Sequence, residues 1–344
     1  MSSHRTHPYL REGIMPRFGY FLSAEDHAPG ELVEQAVLAQ DAGFESLWIS
    51  DHFHPWNDEQ GNAAFVWTMI GALAQATDLP VTTAVTCPTV RVHPAIVAQA
   101  AATSAALLGP GRFTLGLGSG EALNEHILGD PWPHAERRLA MLEEAVGIIR
   151  ALWTGEVVSH SGEFYTVDSA RLYTLPEQLP PIFLSSFGPK SLELACRIAD
   201  GFVSVQPDAD SVAAFRDAKG PQAPTQAGFK SSYAATRDEA VDHMHRLWPN
   251  DLLPGELPQV LPSPQHFEQA AQLVTRDMVA DGPAPLGPDA ETHLAAFAQY
   301  VDAGFDDIHV SNVGPDYRGF FALYKNEVLP ELARRHPSSP GAAR

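Results

Sequence analysis

The sequence predicts an α/β protein built as a (β/α)8 TIM barrel with insertion segments at the carboxyl face of the barrel. Eight short apolar runs with strand character alternate with segments in which apolar residues recur every three or four positions, as in amphipathic helices. A chain of 344 residues has room for eight such units in one domain. Polar and ionisable residues follow several strands rather than one switch point, which favours the barrel over an open doubly wound sheet.

The repeating units follow one another along the chain. The predicted strands are residues 17–22, 46–50, 81–85, 113–117, 182–185, 201–205, 228–234 and 307–311. The predicted helical segments include residues 31–42, 95–107, 135–152, 191–199 and 290–303. These units lie between residues 16 and 334, which we predict to form a single domain.

Two segments interrupt the alternation of strand and helix. Residues 155–181 alternate polar and apolar side chains as a β-hairpin does, and we expect this hairpin to cap the barrel. Residues 248–288 are rich in Pro, Gln and Leu and are long for a loop, which predicts a short helical insertion over the active-site mouth. Residues 1–15 and 335–344 are predicted to be disordered tails.

The composition restricts the class of partner. A net charge of −20 disfavours binding to nucleic acid and to anionic membranes. No apolar run approaches the roughly 20 residues that a membrane-spanning helix needs. The two cysteines, Cys87 and Cys196, form no zinc pattern and are expected to stay reduced, as is typical of a cytoplasmic protein. A small molecule is therefore the expected partner.

The most informative segment is residues 50–56, Ser-Asp-His-Phe-His-Pro-Trp, which follows the second predicted strand. The carboxyl ends of barrel strands are where this fold places its active site. The imidazole of His52 titrates near neutral pH and can accept a proton from a substrate hydroxyl, and Asp51 could orient it. A histidine satisfied in the core is the alternative, and the cluster of functional groups makes a catalytic role the better interpretation.

His52 and His54 also match the two-histidine motif of metal-dependent barrel hydrolases. Such a site needs further ligands from later strand ends. Residues 185–186, 205–206 and 234–235 offer only Ser, Val, Gln and Ala at those places. The sequence therefore predicts no metal site.

A second functional strand end lies at residues 116–121, Gly-Leu-Gly-Ser-Gly-Glu. This run lacks the third glycine of a dinucleotide fingerprint, because Glu121 stands in its place. We interpret it as a tight turn in which the backbone at Ser119 and Gly120 lets a flat ring approach, with Glu121 beside that ring. An ordinary turn with a solvated glutamate is the alternative, which Asn124 and Glu125 make less attractive.

Two weaker signals complete the candidate site. Gly188, Pro189 and Lys190 open a helix after the fifth strand, where free backbone N–H groups suit a phosphate, although such helix starts are also common for structural reasons. Glu25 follows the first strand and would face the same cavity as His52 on a barrel. In isolation, Glu25 reads as a solvated loop acid.

The segments just described, together with residues 19–25, 87–99, 151–176 and 188–205, resemble the luciferase-like monooxygenase superfamily. More narrowly, they resemble its coenzyme F420-dependent branch, which includes F420-dependent glucose-6-phosphate dehydrogenase. The resemblance covers most of residues 16–334. Its motifs are specific as a set, and no single one would suffice.

The resemblance implies a barrel that holds a deazaflavin ring at its carboxyl face. It implies that His52 takes the proton from a substrate hydroxyl while hydride passes to the deazaflavin, and that Glu121 is an acid near the ring. By the same resemblance, Trp56 and Glu25 shape and polarise the substrate site, and Asp51 contacts the cofactor.

The family pattern also bears on the backbone and on assembly. It implies a non-prolyl cis peptide bond behind the ring, and Ala84–Val85 is the matching pair. The cofactor phosphate would lie at Gly188, Pro189 and Lys190, where the sequence alone already indicates an anion site. A homodimer is the assembly that the resemblance implies.

One departure from the family pattern concerns the substrate. The sugar-phosphate enzymes use basic residues to hold the substrate phosphate, but this chain has Gln206, Pro207 and Asp208 at one such place. Residues 257–259, Leu-Pro-Gln, stand at another, and only Arg276 resembles a retained basic residue. Asp208 would repel a phosphate. We therefore expect a neutral or cationic alcohol, carbonyl or imine instead of glucose 6-phosphate.

The leading hypothesis is an F420-dependent oxidoreductase, with the direction of hydride transfer open. The first alternative is a flavin mononucleotide (FMN)-dependent monooxygenase on the same fold. A metal-dependent hydrolase and a non-catalytic cofactor-binding protein are the remaining alternatives. Cofactor identity discriminates between the first two, because a deazaflavin does not form the oxygen adduct that a flavin forms.

Overall fold

A computed structural model describes residues 15–337 as a closed barrel of eight parallel strands. The barrel strands are β1 (Arg17–Leu22), β2 (Leu47–Ile49), β3 (Val81–Thr83), β4 (Phe113–Leu117), β7 (Ile182–Ser185), β8 (Gly201–Ser204), β9 (Thr225–Ser231) and β10 (Asp307–Asn312), with β5 (Val158–Ser161) and β6 (Thr166–Ala170) forming a separate antiparallel pair. The predicted TIM barrel is confirmed. Around the barrel the strands follow the order β1-β10-β9-β8-β7-β4-β3-β2.

Helices connect the strands and cover the outside of the barrel. They are α1 (Pro29–Ala42), α2 (Val66–Ala76), α3 (Pro94–Leu108), α4 (Ala122–Glu125), α5 (Ala135–Leu152), α6 (Pro189–Ile198), α7 (Ala209–Lys219), α8 (Arg237–Leu247), α9 (Leu257–Val260), α10 (Pro264–Ala271), α11 (Arg276–Ala280), α12 (Ala290–Asp302), α13 (Tyr317–Leu323) and α14 (Leu329–Arg335). Short 3₁₀ segments span His126–Leu128 and Pro249–Leu252, and a π-helical turn spans Tyr324–Val328. No helix within residues 15–337 is long and apolar enough to cross a membrane.

The interior of the barrel is filled by large rings that glycines on neighbouring strands accommodate. Trp48, Phe183 and Val203 form a buried cluster there. A Cβ atom added at Gly228 would lie 2.4 Å from the Trp48 ring, and one added at Gly201 would lie 2.3 Å from the Phe183 ring. These two glycines therefore make room for the rings, because close-packed interiors leave no space for an extra methyl group.

A hydrogen-bonded polar layer closes the amino-terminal end of the barrel. We call this group, Arg17, Ser46, Gln226, Asp307 and His309, the floor cluster. The Ser46 hydroxyl lies 2.7 Å from Asp307 and 2.9 Å from Nε2 of His309, and the His309 ring stacks on Trp48 at 4.5 Å. His309 is fully buried, and this burial lowers its pKa to about 4. The imidazole is therefore neutral at neutral pH.

The two segments that interrupt the predicted alternation of strand and helix contain secondary structure of their own. Residues 155–181 contain the antiparallel pair β5–β6, and residues 248–288 contain a 3₁₀ segment and three short helices, α9, α10 and α11. Apolar side chains anchor the second insertion: Trp248, Phe267 and Val274 belong to a buried cluster that includes residues of α8. This insertion is thus packed onto the barrel.

Most predicted boundaries lie within two residues of those in the structure, and the larger differences are at the seventh barrel strand and at the C-terminal tail. The seventh barrel strand is Thr225–Ser231, not 228–234, because Thr225, Gln226 and Ala227 pair with β8, and Gln226 and Ala227 also pair with β10. The polar Gln226 is accommodated by a hydrogen bond from Trp48. The predicted C-terminal tail begins at Arg335, which is instead the last residue of α14. Otherwise the predicted tails lie mostly outside the described residues.

Candidate active site

The carboxyl ends of β1 and β2 bring an acid, two hydroxyls and an imidazole together. Ser50 donates a hydrogen bond to Oε2 of Glu25 at 2.7 Å, and Ser23 Oγ lies 3.0 Å from the same oxygen. Nδ1 of His52 lies 3.4 Å from Oε1 of Glu25. Glu25 is buried, so it is not the solvated loop acid of the alternative interpretation. The sequence prediction that Glu25 faces the same site as His52 agrees with this geometry.

The surroundings of His52 fix which ring nitrogen can accept a proton. Its Nδ1 lies 3.2 Å from the backbone carbonyl oxygen of His54. Because a carbonyl can only accept a hydrogen bond, Nδ1 carries the hydrogen and Nε2 keeps its lone pair. Among the described residues none hydrogen-bonds Nε2. The Trp56 ring lies against the imidazole, with centroids 5.1 Å apart.

A second acid adjoins Glu25 and links the site to the helical insertion. Asp26 Oδ2 lies 3.0 Å from Ser23 Oγ and accepts a hydrogen bond from Nε1 of Trp248 at 2.6 Å. The Lys230 ammonium lies over the Trp248 ring, 4.0 Å from its centroid, and pairs with Asp251 at 3.2 Å. Burial raises the pKa of Asp26 to about 7, and the charge of Glu25 adds to this effect.

Asp51 has a different environment from Glu25. It is buried, and it accepts hydrogen bonds from Thr86 at 2.7 Å and from Arg91 at 2.8 Å. Glu125 accepts the backbone N–H of Arg91 at 2.7 Å, and burial raises the pKa of Glu125 to about 7. Both oxygens of Asp51 are therefore engaged within the protein, and its predicted contact with a cofactor stays a prediction.

Asn124 holds the loop after β2 through its side-chain oxygen, and its amide nitrogen is left unpaired among residues 15–337. Its Oδ1 accepts the backbone N–H groups of Phe53 and His54 at 2.9 and 3.2 Å. Its Nδ2 is buried, with no partner among the described residues. A buried donor without a partner is costly, so this nitrogen suits the carbonyl or ring nitrogen of a bound heterocycle. His54 itself turns away, with Nδ1 lying 2.9 Å from the Leu123 carbonyl oxygen.

The backbone near the candidate ring site has the predicted geometry at two places. The Ala84–Val85 peptide bond is cis, as predicted. Gly120 has φ 88°, a conformation that favours glycine, in the turn that follows β4. Glu121 occupies the N-cap position of α4, and it is half-buried with no side-chain hydrogen bond among the described residues. Ser119 lies half-buried in the same turn.

Gly188 and Pro189 begin α6 with an open backbone. Gly188 is the N-cap residue, and a Cβ atom added there would meet no atom within 4 Å. An anion could therefore approach the first N–H groups of this helix. Lys190 is exposed and its ammonium pairs with Glu136. The predicted anion site thus has an open backbone, but its lysine already has an acidic partner.

The residues at the places where the sugar-phosphate enzymes hold the substrate phosphate all have partners within the protein. Asp208 caps α7 by accepting the backbone N–H groups of Asp210 and Ser211, and the hydrogen bond from the Ser211 hydroxyl lowers its pKa. Gln259 accepts a hydrogen bond from Arg138 at 3.0 Å. Arg276 pairs with Asp242 at 2.6 Å and with Asp238 at 3.3 Å. The two acidic partners of Arg276 both lie on α8.

Sequence reasoning missed several residues of this site. Ser23 and Ser50 each end a strand on the same side as the functional acid and histidine, so strand alternation could have found them. Asp26, Lys230 and Trp248 come together from three distant parts of the chain. A pattern in one sequence contains no signal for that contact.

The sequence of this chain is similar to those of known proteins over most of its length. The family model described as luciferase-like monooxygenase matches residues 15–307. The F420-dependent glucose-6-phosphate dehydrogenase of Nakamurella multipartita is 36% identical over 335 residues, covering 92% of this chain and 96% of that protein. The F420-dependent hydroxymycolic acid dehydrogenase of Mycobacterium tuberculosis is 37% identical over 325 residues, covering 91% and 88%.

A solved structure agrees with these sequence relatives. An F420-dependent secondary alcohol dehydrogenase in complex with an F420-acetone adduct superimposes with a TM-score of 0.85. It is 31% identical, and the match covers 93% of this chain and 99% of that one. The chain belongs to the luciferase-like monooxygenase family and, within it, to the branch of the F420-dependent dehydrogenases.

Proposed function

We propose that this chain, which is an F420-dependent oxidoreductase, moves a hydride between the deazaflavin and a carbon atom of a neutral alcohol or carbonyl compound. The observation that carries the proposal is the His52–Glu25 pair, whose imidazole presents a free Nε2 beside Trp56. The relatives are named as F420-dependent dehydrogenases, and the residues of this chain suit the same chemistry.

The residues present fit the cofactor. The partnerless Nδ2 of Asn124 can donate to the heterocycle, and the turn containing Ser119 and Gly120 offers close approach to the backbone. The open start of α6 at Gly188 can receive a phosphate. When bound, F420 supplies the two-electron acceptor or donor for hydride.

His52 is the group that would exchange a proton with the substrate oxygen. With its hydrogen fixed on Nδ1, the imidazole accepts the hydroxyl proton of an alcohol at Nε2. The carboxylate of Glu25 stabilises the imidazolium that results, at a distance of 3.4 Å. Ser23 and Ser50 keep that carboxylate in place through hydrogen bonds to Oε2. Alcohol oxidation thus leaves its proton on the protein.

Glu121 would serve as a second acid, on the β4 side of the site. Its carboxyl group has no hydrogen-bonding side chain among the described residues and stands at the start of α4. That position leaves it available to a bound ring, as the family resemblance implies. Trp56 would form an apolar wall for the substrate, since its ring packs between His52 and Phe267.

The proposed substrate class rests on the lack of a free basic residue at this site, among the described residues, to hold a phosphate. By the family pattern, Asp208 and Gln259 stand where the sugar-phosphate enzymes have basic residues, and Lys230 and Arg276 already pair with acids. A dianionic sugar phosphate would therefore lack the basic partners that it needs, and the Glu25 carboxylate would repel it. A neutral secondary alcohol, or the ketone formed from it, avoids this repulsion.

The test is anaerobic incubation of the protein with oxidised F420 and isopropanol, cyclohexanol or glucose 6-phosphate, monitored by the visible absorbance of the cofactor. We expect reduction with a neutral alcohol and none with the sugar phosphate. Reduction by glucose 6-phosphate alone would overturn the proposed substrate class. Oxygen consumption that requires FMN, with no reduction of F420, would overturn the proposed activity.

A further inference from the structure

The carboxyl groups of Glu25 and Asp26 are joined by a single hydroxyl. Ser23 Oγ lies 3.0 Å from Oε2 of Glu25 and 3.0 Å from Oδ2 of Asp26. A serine hydroxyl has one hydrogen to donate, so it cannot donate to two carboxylates at once. One of the two acids must therefore carry a hydrogen and donate it to Ser23 if both contacts are hydrogen bonds.

Asp26 is the member of the pair better suited to hold that hydrogen. Oε2 of Glu25 also accepts a hydrogen bond from Ser50, which favours the carboxylate form. Oδ1 of Asp26 is buried with no partner among the described residues, which disfavours a charge there. The pKa of Asp26, raised to about 7 by burial, agrees with this assignment.

We propose that Asp26 is a positioning residue: in its ionised form it takes up, through Glu25 and the Ser23 hydroxyl, the proton that alcohol oxidation leaves on His52, and the protonated pair is the state after this uptake. This inference rests on the proposed function. Asp26 acts through Glu25 and Ser23 and need not touch the substrate. The described contacts lead from His52 to Glu25, Ser23 and Asp26, and end at Trp248.

The proton balance of the step is complete. Oxidation breaks the C–H bond, whose hydrogen leaves with both electrons as hydride to the cofactor, and the O–H bond, whose proton goes to Nε2 of His52. His52 releases its Nδ1 proton to Oε1 of Glu25. After the ketone leaves, Nε2 loses its hydrogen to solvent and Nδ1 regains one, which restores the resting tautomer facing the His54 carbonyl. After the carboxyl group rotates, Glu25 donates to Ser23 Oγ while Ser23 passes its own hydrogen to Oδ2 of Asp26. Reduction of a ketone runs through the same bonds in reverse.

The groups around Asp26 determine its charge. The charged or titratable groups that act on Asp26 directly are Glu25, Tyr20 on β1 and Lys230 on β9. His27 is next in sequence, His52 contacts Glu25, and Asp251 pairs with Lys230. The charge of Glu25 raises the pKa of Asp26, whereas the indole of Trp248 and the ammonium of Lys230 lower it. Because Trp248 begins the helical insertion, the insertion contacts the acid directly.

The first experiment is an NMR titration of the cofactor-free protein with isotopically labelled aspartate side chains. We expect one carboxyl resonance to titrate near 7 and to vanish in Asp26→Asn. Glu25→Gln should shift that midpoint down, because it removes a neighbouring charge, and Trp248→Phe should shift it up, because it removes a donor. A resonance that titrates near 3.8, the ordinary value for aspartate, would overturn the proposal.

The second experiment is the pH profile of alcohol oxidation. Oxidation needs Asp26 ionised as the acceptor, so wild-type kcat should rise with pH through the midpoint found by NMR. Asp26→Asn and Ser23→Ala should both lose this rise and fall about tenfold at high pH, less than the roughly 10²-fold minimum for a group at the reacting atom. Asp58→Asn is the matched control, since Asp58 is an exposed acid on the loop after β2.

The outcomes distinguish this inference from the proposed function. A wild-type pH profile in both Asp26→Asn and Ser23→Ala would overturn the uptake of this proton by Asp26 as part of turnover. If no variant, wild type included, reduces F420 with any alcohol while the Asp26 resonance still titrates near 7, the proposed function falls and the carboxyl pair stands.

Discussion

The barrel contains two histidine–carboxylate pairs, one at each end, and they differ in what surrounds them. In the floor cluster, His309 is sealed, stacked on Trp48 and hydrogen-bonded at both ring nitrogens, to Ser46 and to the Ala227 carbonyl oxygen. At the carboxyl end of the barrel, which we call the mouth, His52 is partly exposed and its Nε2 has no partner among the described residues. Of the two pairs, only the one at His52 has a ring nitrogen without a partner among residues 15–337, so the same residue types suit folding at one end and the proposed proton transfer at the other.

We expect the largest effect on turnover from substitution of His52. His52→Asn should lower turnover by roughly 10²- to 10⁴-fold, because it removes the proton acceptor. Its thermal unfolding and its F420 affinity should stay close to wild type. Steady-state kinetics, a thermal melt and a binding titration on the same preparation check this. Turnover within about twofold of wild type would remove His52 from the chemistry.

His309→Asn should show the opposite pattern. It breaks buried hydrogen bonds and removes a ring stacked on Trp48, so the free energy of unfolding should fall by about 1–3 kcal/mol. Turnover per folded molecule should be retained. Denaturant unfolding with an activity assay at low temperature measures both quantities. A loss of turnover without a loss of stability would contradict the division between floor and mouth.

Two glycine substitutions distinguish a position needed for packing in the barrel interior from one proposed to bind the cofactor. Gly228→Ala forces a methyl group to within 2.4 Å of the Trp48 ring, and should destabilise the protein by about 1–3 kcal/mol. Gly188→Ala meets no atom within 4 Å, so stability should be unchanged while F420 binding weakens at the start of α6. Denaturant unfolding and cofactor titration of both variants give the answer. If both variants changed stability and F420 affinity equally, these assignments of Gly228 to packing and Gly188 to binding would be contradicted.

The pH dependence of stability should also differ between the two ends. The pKa of His309 lies at about 4 in the fold against an ordinary value of 6.5, so its contribution to stability is present above 6.5 and is lost as pH falls toward 4. The pKa of Asp26 is raised from 3.8 to about 7, so its contribution is present below 3.8 and is lost as pH rises toward 7.

The two substitutions should therefore change stability at opposite ends of the pH range. Between pH 3.8 and 7, Asp26→Asn should become more stable relative to wild type as pH rises. His309→Asn should be least destabilised relative to wild type near pH 4, where the wild-type imidazole has lost its contribution. Each pKa unit corresponds to about 1.4 kcal/mol at most. Denaturant unfolding across this range measures both trends. A stability difference that does not change with pH in either variant would count against the assigned pKa direction.

The smallest expected effect concerns Arg276. Its side chain is 42% exposed and pairs with Asp238 and Asp242, so Arg276→Ala should change stability by less than about 1 kcal/mol. Alcohol oxidation should be unaffected. Steady-state kinetics with isopropanol and cyclohexanol would show a raised KM if Arg276 instead contacted the substrate.

Local pattern was enough to predict much of the fold and part of the site. The strand–helix rhythm located all eight barrel strands, and the segment that contains His52 located the candidate site. The errors arose where tertiary pairing outweighs local pattern: Thr225, Gln226 and Ala227 are a strand because β8 and β10 flank them. The predicted homodimer remains a prediction.

The contact between Asp26 and Trp248 could not be predicted for a different reason. The two residues are 222 positions apart, and their hydrogen bond exists only because the insertion folds back onto the loop after β1. Similarly, nothing in the sequence distinguishes the free Nε2 of His52 from the engaged nitrogens of His309. Both distinctions depend on three-dimensional surroundings that one sequence does not specify.

The most direct test that the site at His52 binds F420 and not FMN is a parallel titration of the protein with the two oxidised cofactors. Binding is monitored by the quenching of tryptophan fluorescence. Trp56 lies beside His52 and should report binding at the mouth, so Trp56→Phe serves as the control for the location of the signal. We expect saturable quenching by F420, weakened in Trp56→Phe, and no saturable quenching by FMN. Saturable quenching by FMN with none by F420 would contradict this expectation.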